Sequence, residues 1–514
     1  MSEKETNQND GEGVRSASSE GNILASYTLD VHGMAVDVKI INTDEFVPRY
    51  MTKTTGISDA TKLLIMSLRS DLLNMVPIDP SRVDDQDYEK ELNTRYIEAS
   101  GILIDKHLPG LGQDTRKLLT AYIINMMLGY GELEIPLADD NLEEVAINGA
   151  RDFIWVFHKT VGWCKTDIKP QSDSEIYDQS ERMGRRVGRE INNLQPLMDA
   201  ELADGSRVNA TLYPISHVGN TITIRKFAKN PWTMPAMIKN KTIDLGVAAQ
   251  IWLAIENEIS LLIAGGTASG KTSFLNASSI FYPPTRRIIS VEETRELSLP
   301  NFLQWIAMVT RQPNPEGKGE VTLHDLMVNA LRQRPDIMLV GEIRVKEDAE
   351  TLFEAIHTGH AVYGTLHADN AQDAVIRMTN PPIGVPKITL NSLGGIIVSF
   401  RHRSRGIRRI LEYSEILQNG DANVLYRWNM NTDELVQISA MTRLSEVLNM
   451  YSGLSTSDIQ SEIDEKSKVL KWMVSNDVIS VDDAGFVVAN YYRNKSKVLD
   501  IAENNVKFSM DIFK

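Results

Sequence analysis

The residues Gly265 to Thr272, GGTASGKT, carry a pattern with narrow chemical meaning. They fit G-x-x-x-x-G-K-[ST], in which glycines let the backbone fold tightly enough to aim several N–H groups at phosphate oxygens beside the positive end of a helix. Lys271 is placed to set its ammonium between the β- and γ-phosphates of a nucleotide, and the Thr272 hydroxyl to take a Mg²⁺ ion. Gly265, Gly266, Thr267, Ala268, Ser269, Gly270, Lys271 and Thr272, with Ser273 just beyond, form the expected nucleotide-binding set. A chance Gly/Ser loop would lack the right flanks. Here apolar Leu261–Ala264 suits a buried parallel strand, and Phe274–Ala277 opens a helix.

Three downstream segments add acid–base and metal-binding groups. Ile337–Val340 is an apolar run followed by Gly-Glu-Ile-Arg. Glu342 therefore stands at a strand end, where a carboxylate reaches the Mg²⁺ shell or a polarised water. Ile288–Val291 is a second such run, ending in Glu292 and Glu293. Neighbouring strand residues face opposite sides, so one carboxylate is expected at the reacting water and the other in a structural role. The third segment holds His357, His360 and His367, three of nine histidines within eleven residues. A zinc site is not supported, since there is neither HExxH nor a cysteine partner. His367, following an apolar run, is expected to hydrogen-bond a γ-phosphate or a site carboxylate, and His360 is a second candidate.

These groups are far apart along the chain, so a folded frame must gather them. At 514 residues the sequence exceeds one ordinary core, and roughly three or four domains are expected. Residues 1–22 are Ser-, Glu- and Asn-rich and read as a disordered tail. Residues 23–128 read as alternating strand sequence, such as Ala35–Ile40, followed by a helical bundle over Ser58–Met75, Asp84–His107 and Gln113–Leu128. Residues 129–230 read as an α+β domain. Pro231 and Pro235 mark a linker at 231–236, with the phosphate-loop domain over 237–440. Helical spacing of Leu444, Ile459, Ile463, Leu470 and Met473 gives a C-terminal helical extension over 441–514, where Ser455 and Asp458 pair at a helix start.

A formal charge of −15, from 54 basic and 69 acidic residues, argues against a nucleic-acid binder. Arg401–Arg409 is a local basic run that faces nucleotide, an acidic partner loop or anionic lipid, or is simply a solvated face. The single cysteine, Cys164, excludes an intrachain disulfide and a Cys-rich zinc site, in keeping with a cytoplasmic location. No apolar run is long enough to span a bilayer, and the N-terminus lacks the apolar region of a signal peptide, so membrane contact is expected to be peripheral.

Taken together, the four segments resemble the type II/type IV secretion (traffic) ATPase superfamily. GGTASGKT resembles its Walker A motif, and SVEETREL its acidic box, with Glu293 where aspartate is usual. LRQRPDIMLVGEIR resembles its Walker B signature, in which Glu342 is the metal or catalytic glutamate. TGHAVYGTLHADNA resembles its His box, matching His360 and His367 to the two box histidines. The likeness covers about Gly129 to Glu415. Within it, residues 129–230, ahead of the phosphate-loop domain, resemble the family's PAS-like module, where Arg207 and Arg225 match basic residues that help close the nucleotide site. Arg332 and Arg334, in the Walker B lead-in, are candidates for the same role. The four-cysteine zinc knuckle of bacterial pilus and type II secretion relatives cannot form here, which points to the archaeal branch (archaellum motor or pilus-assembly enzyme).

The resemblance implies a RecA-like P-loop ATPase domain, ATP and Mg²⁺ as ligands, and a homo-hexameric ring. It also implies a polytopic membrane platform protein as partner and filament assembly or secretion as output. The base stays open between Glu292 and Glu293. Two alternatives are a RecA-like DNA motor, which the net charge disfavours, and a nucleotide-binding scaffold without turnover, which the full set of acidic and basic groups disfavours.

Overall fold

The computed structural model describes residues 22–77, 86–313, 317–402 and 405–513. The tail 1–21, the expected helix start at Asp84 and Asp85, and residues 403–404 of the basic run lie outside the described residues. The chain is a multidomain α/β protein with two compact units, Met1–Lys226 and Phe227–Lys514. Among the described residues each carries a nine-stranded sheet.

In the first unit, strands Ile23–Val31, Met34–Ile41 and Arg49–Thr54 form an antiparallel ribbon. Arg49 and Tyr50 then pair in parallel with Lys165 and Thr166 of strand Gly162–Thr166. The N-terminal strands therefore extend the sheet that runs on to Leu197–Glu201, Arg207–Thr211 and Thr221–Arg225. Alternation explains the ribbon's position: Val36, Val38 and Ile40 are buried while Ala35 and Lys39 are exposed. Val36 joins a core with Leu72, Tyr96 and Ile123 of the helices Arg69–Met75, Gln86–His107 and Gln113–Leu128.

In the second unit, six parallel strands lie in the spatial order Gln304–Val309, Arg287–Glu292, Ile337–Val340, Ala361–Leu366, Leu261–Gly265 and Gly395–His402. Ile407–Ile416, Ala422–Asn429 and Glu434–Gln437 continue the sheet antiparallel. The central strands are buried on both faces, which is why they read as unbroken apolar runs. Because they are parallel, their C-terminal ends share one edge of the sheet, the usual place for a ligand crevice.

Two sequence expectations change. The expected linker contains the start of a helix, Met234–Lys239, whose first turn accommodates Pro235 because no intrahelical N–H is needed there. The C-terminal helices are not an appendage. Thr456–Ser475 and Val481–Arg493 share one hydrophobic core with helix Leu245–Glu256. Trp252 stacks on Phe281 at 5.0 Å and packs on Tyr491 at 4.9 Å. Lys466, fully buried, sits 2.7 Å from Glu256 and 2.8 Å from Glu462. Ser455 and Asp458 form a capping box at the start of Thr456–Ser475.

Candidate functional site

The phosphate loop leaves strand Leu261–Gly265 and enters helix Lys271–Ser278. Two glycines make the turn possible. Gly265 has φ +153°, and a Cβ there would collide with Ser269 Oγ and the Ser399 carbonyl; Gly270, at φ +98°, caps the helix in the left-handed region. Lys271 Nζ donates to the carbonyls of Gly265 and Gly266 at 3.0 and 3.2 Å, folded over its own loop. Thr272 and Ser273 follow in the helix's first turn, partly exposed. The Thr267 hydroxyl is 3.1 Å from His367 Nε2, so the histidine ending Ala361–Leu366 reaches the loop's outer side.

The carboxylates separate by environment. Glu292, 2% exposed, accepts at Oε1 from the amides of Glu296 and Leu297 at 2.9 and 3.1 Å. Its Oε2 is buried without a hydrogen-bond partner among the described residues. Burial pushes this carboxyl up to about 7, against the opposing pull of those two amides. Glu293, the residue after the strand, is ion-paired to Arg344 Nη1 at 2.7 Å, and Arg344 Nη2 donates to Glu342 at 2.8 Å. The Thr365 hydroxyl donates to the Gly341 carbonyl, and Ile343 N to Thr365 O at 2.9 Å, which fixes the turn carrying Glu342 to the neighbouring strand.

The structure thus gathers the loop, Glu292, Glu293, Glu342 and His367 on one edge of the sheet. It does not bring His360, Arg332 or Arg334 there. His360 precedes strand Ala361–Leu366 and is held by Ala355 O at 3.0 Å and Thr358 Oγ1 at 3.1 Å. A strand rising about 3.3 Å per residue puts it roughly 20 Å from His367, at the opposite edge. Arg332 and Arg334, both exposed, lie on that edge too, ahead of Ile337–Val340. Arg207 and Arg225 belong to the first unit, directly opposite one another across two strands, with Arg207 Nε 2.8 Å from Asp199. Arg344 is visible in the sequence only as the end of a motif, with no sign that it bridges Glu293 and Glu342, two carboxylates far apart along the chain.

A family model described as "Type II/IV secretion system protein" matches residues 136–405. MJ0900 of Methanocaldococcus jannaschii is 29% identical over 90% of this chain and 88% of its own length. The type IV secretion system protein PtlH of Bordetella pertussis is 29% identical over 47% of this chain and 77% of its own. Among solved structures, the Legionella pneumophila ATPase DotB is 18% identical, covering 73% of this chain and 94% of that one, with a TM-score of 0.41.

Proposed function

Since the chain belongs to the type II/IV secretion system protein family, we propose that it hydrolyses ATP to drive a filament-assembly or secretion machine. The observation that carries this reading is the convergence of the phosphate loop, the Glu293–Arg344–Glu342 cluster and His367 on one sheet edge. Loop amides and Lys271 bind the triphosphate and offset charge developing on the transferred phosphoryl group. Glu292, with one oxygen uncommitted and a carboxyl near 7, is suited to accept the proton of the attacking water; Glu293 is engaged with Arg344 instead. His367 positions the loop or the γ-phosphate through Thr267. The oxygen donors Thr272 and Glu342 suit Mg²⁺, which is held by one or two protein groups together with phosphate. Bound there, the ion would supply positive charge to offset that on the phosphates.

The working form we propose is a homo-hexamer with a RecA-like ATPase body, a PAS-like module and an N-terminal bundle. Arg207 and Arg225 would close the nucleotide site across a boundary, as a trans arginine is worth about 10³–10⁵ in rate. Mixing Arg207→Ala protomers with active ones tests this, since a strictly proportional loss of activity would remove the shared pocket. Among the described residues no helix is long and apolar enough to cross a membrane. The setting we propose is an archaeal pilus or archaellum machine, with the chain on the cytoplasmic side and docked on a membrane platform protein.

The test is phosphate release by wild type, Lys271→Ala and Glu342→Gln. Turnover in the wild type and its loss by at least about 10²-fold in both variants is expected. Equal rates in all three would remove the motor reading.

A further inference from the structure

Of the basic run, Arg401 and His402 close one strand of a hairpin and Ile407, Arg408 and Arg409 open the other, and their placement follows from sheet register. Strand Gly395–His402 pairs in parallel with the phosphate-loop strand, Gly265 opposite Ser399. At Gly265 the loop turns off the sheet, while its neighbour continues three residues farther, roughly 10 Å. The hairpin therefore runs on beside the loop. On its return Arg408 stands opposite Arg401, and Arg409 opposite Phe400, so Arg401 and Arg408 share one face and Arg409 points to the other.

The two adjacent arginines have different surroundings. Arg409 is buried, its guanidinium 2.7 and 2.8 Å from the Asp433 carboxylate, a bidentate pair that ties two strands of the hairpin sheet. Arg408 lies against the phosphate loop. Its Nε donates to the Ala268 carbonyl at 3.4 Å, and its Cδ is 3.6 Å from the point where a Cβ on Gly270 would stand. Gly270 immediately precedes Lys271, so a lysine and an arginine meet the same turn from different sides.

We propose that Arg408 is a nucleotide-binding residue, supplying a second cation to the phosphate chain from the hairpin side of the loop. The inference rests on the ATP-binding reading above. Lys271 and Arg408 both contact backbone carbonyls of the phosphate loop, so two positive side chains stand beside the place where a polyphosphate would seat. The Ala268 contact is long for an N–H···O bond, and exchanging it for a phosphate oxygen gives a charge-assisted bond in which the planar guanidinium engages two oxygens.

The experiment compares full-length wild type, Arg408→Ala, Arg408→Lys and Arg405→Ala, with Arg405 an exposed residue of the same hairpin. Steady-state hydrolysis gives KM and kcat for ATP, titration gives affinities for ADP and AMP, and thermal unfolding reports on folding. Arg408→Ala is expected to raise KM and the ADP dissociation constant by about 10-fold or more, with kcat within about threefold. Arg408→Lys should recover part of that loss, and Arg405→Ala should match wild type. A weaker effect on AMP than on ADP would place the contact at the β-phosphate. Unchanged KM and ADP affinity in Arg408→Ala, whatever its melting temperature, overturns the inference while leaving the ATPase reading standing, as does an Arg408→Lys variant no better than Arg408→Ala. Absence of nucleotide binding by wild type overturns the ATPase reading itself.

Discussion

Glu292 and Glu293 are adjacent in sequence and live in different environments, and that contrast gives the sharpest residue-scale prediction. The native Glu292 carboxyl keeps its proton to about pH 7, whereas the ordinary value is 4.5. Wild-type stability should therefore fall as pH rises from about 4.5 to about 7 and level off above, because the native state binds the proton more tightly. The displacement amounts to on the order of 3 kcal/mol. Urea unfolding of wild type and Glu292→Gln across this range should show a steeper fall in the wild type, the buried carboxyls of Glu144 and Asp348 contributing to both. Hydrolysis should follow the opposite sense, rising as Glu292 ionises through about pH 7, with the amide variant about 10²–10⁴-fold slower. A Glu292→Gln enzyme retaining both rate and pH profile would transfer the base role to Glu293 or Glu342. At this scale the phosphate loop, Glu342 and His367 were legible because their motifs encode local geometry. His360, Arg332 and Arg334 were misplaced because closeness in sequence says nothing about which end of a parallel strand a residue occupies. The bridging role of Arg344, and which arginine of the Arg401–Arg409 run meets the loop, depend on strand order, which no local pattern carries.

The elements were read largely from periodicity, and their partners were not. The spacing of Ile459, Ile463, Leu470 and Met473 announces an apolar helical stripe, but a stripe does not name the surface it covers. Here that surface is helix Leu245–Glu256, so the region expected as an extension completes the core beneath the phosphate-loop strand. Lys466 is the clearest sign of this closure. It is a fully buried ammonium between Glu256 and Glu462, 5.7 Å from the Trp252 ring and 5.1 Å from Tyr491. Removing one partner of a buried ion pair strands the others, so Lys466→Ala should cost about 3 kcal/mol by chemical denaturation. Lys466→Met, which fills the same volume without charge, should cost less. Equal stability of Lys466→Ala and wild type would mean that the C-terminal helices do not hold the phosphate-loop unit together. The linker expectation failed in a related way. Pro235 breaks a helix interior but suits a helix start, and sequence alone did not distinguish the two.

For the whole molecule, composition and motif order were enough to indicate a multidomain α/β protein of the secretion family. The division of the chain was less legible. The N-terminal ribbon joins the following domain's sheet through the Arg49–Lys165 and Tyr50–Thr166 pairs, a parallel junction that no turn motif could signal. In the function proposed, distant carboxylates, cations and an imidazole act on one triphosphate. The direct measurement is a structure of the full-length chain with Mg²⁺ and a non-hydrolysable ATP analogue. Lys271 should have left the Gly265 and Gly266 carbonyls for the phosphates, with Thr272, Glu342 and His367 grouped around the β- and γ-positions. An analogue bound elsewhere, or bound at the loop with Glu342 and His367 turned away from the terminal phosphate, would contradict it.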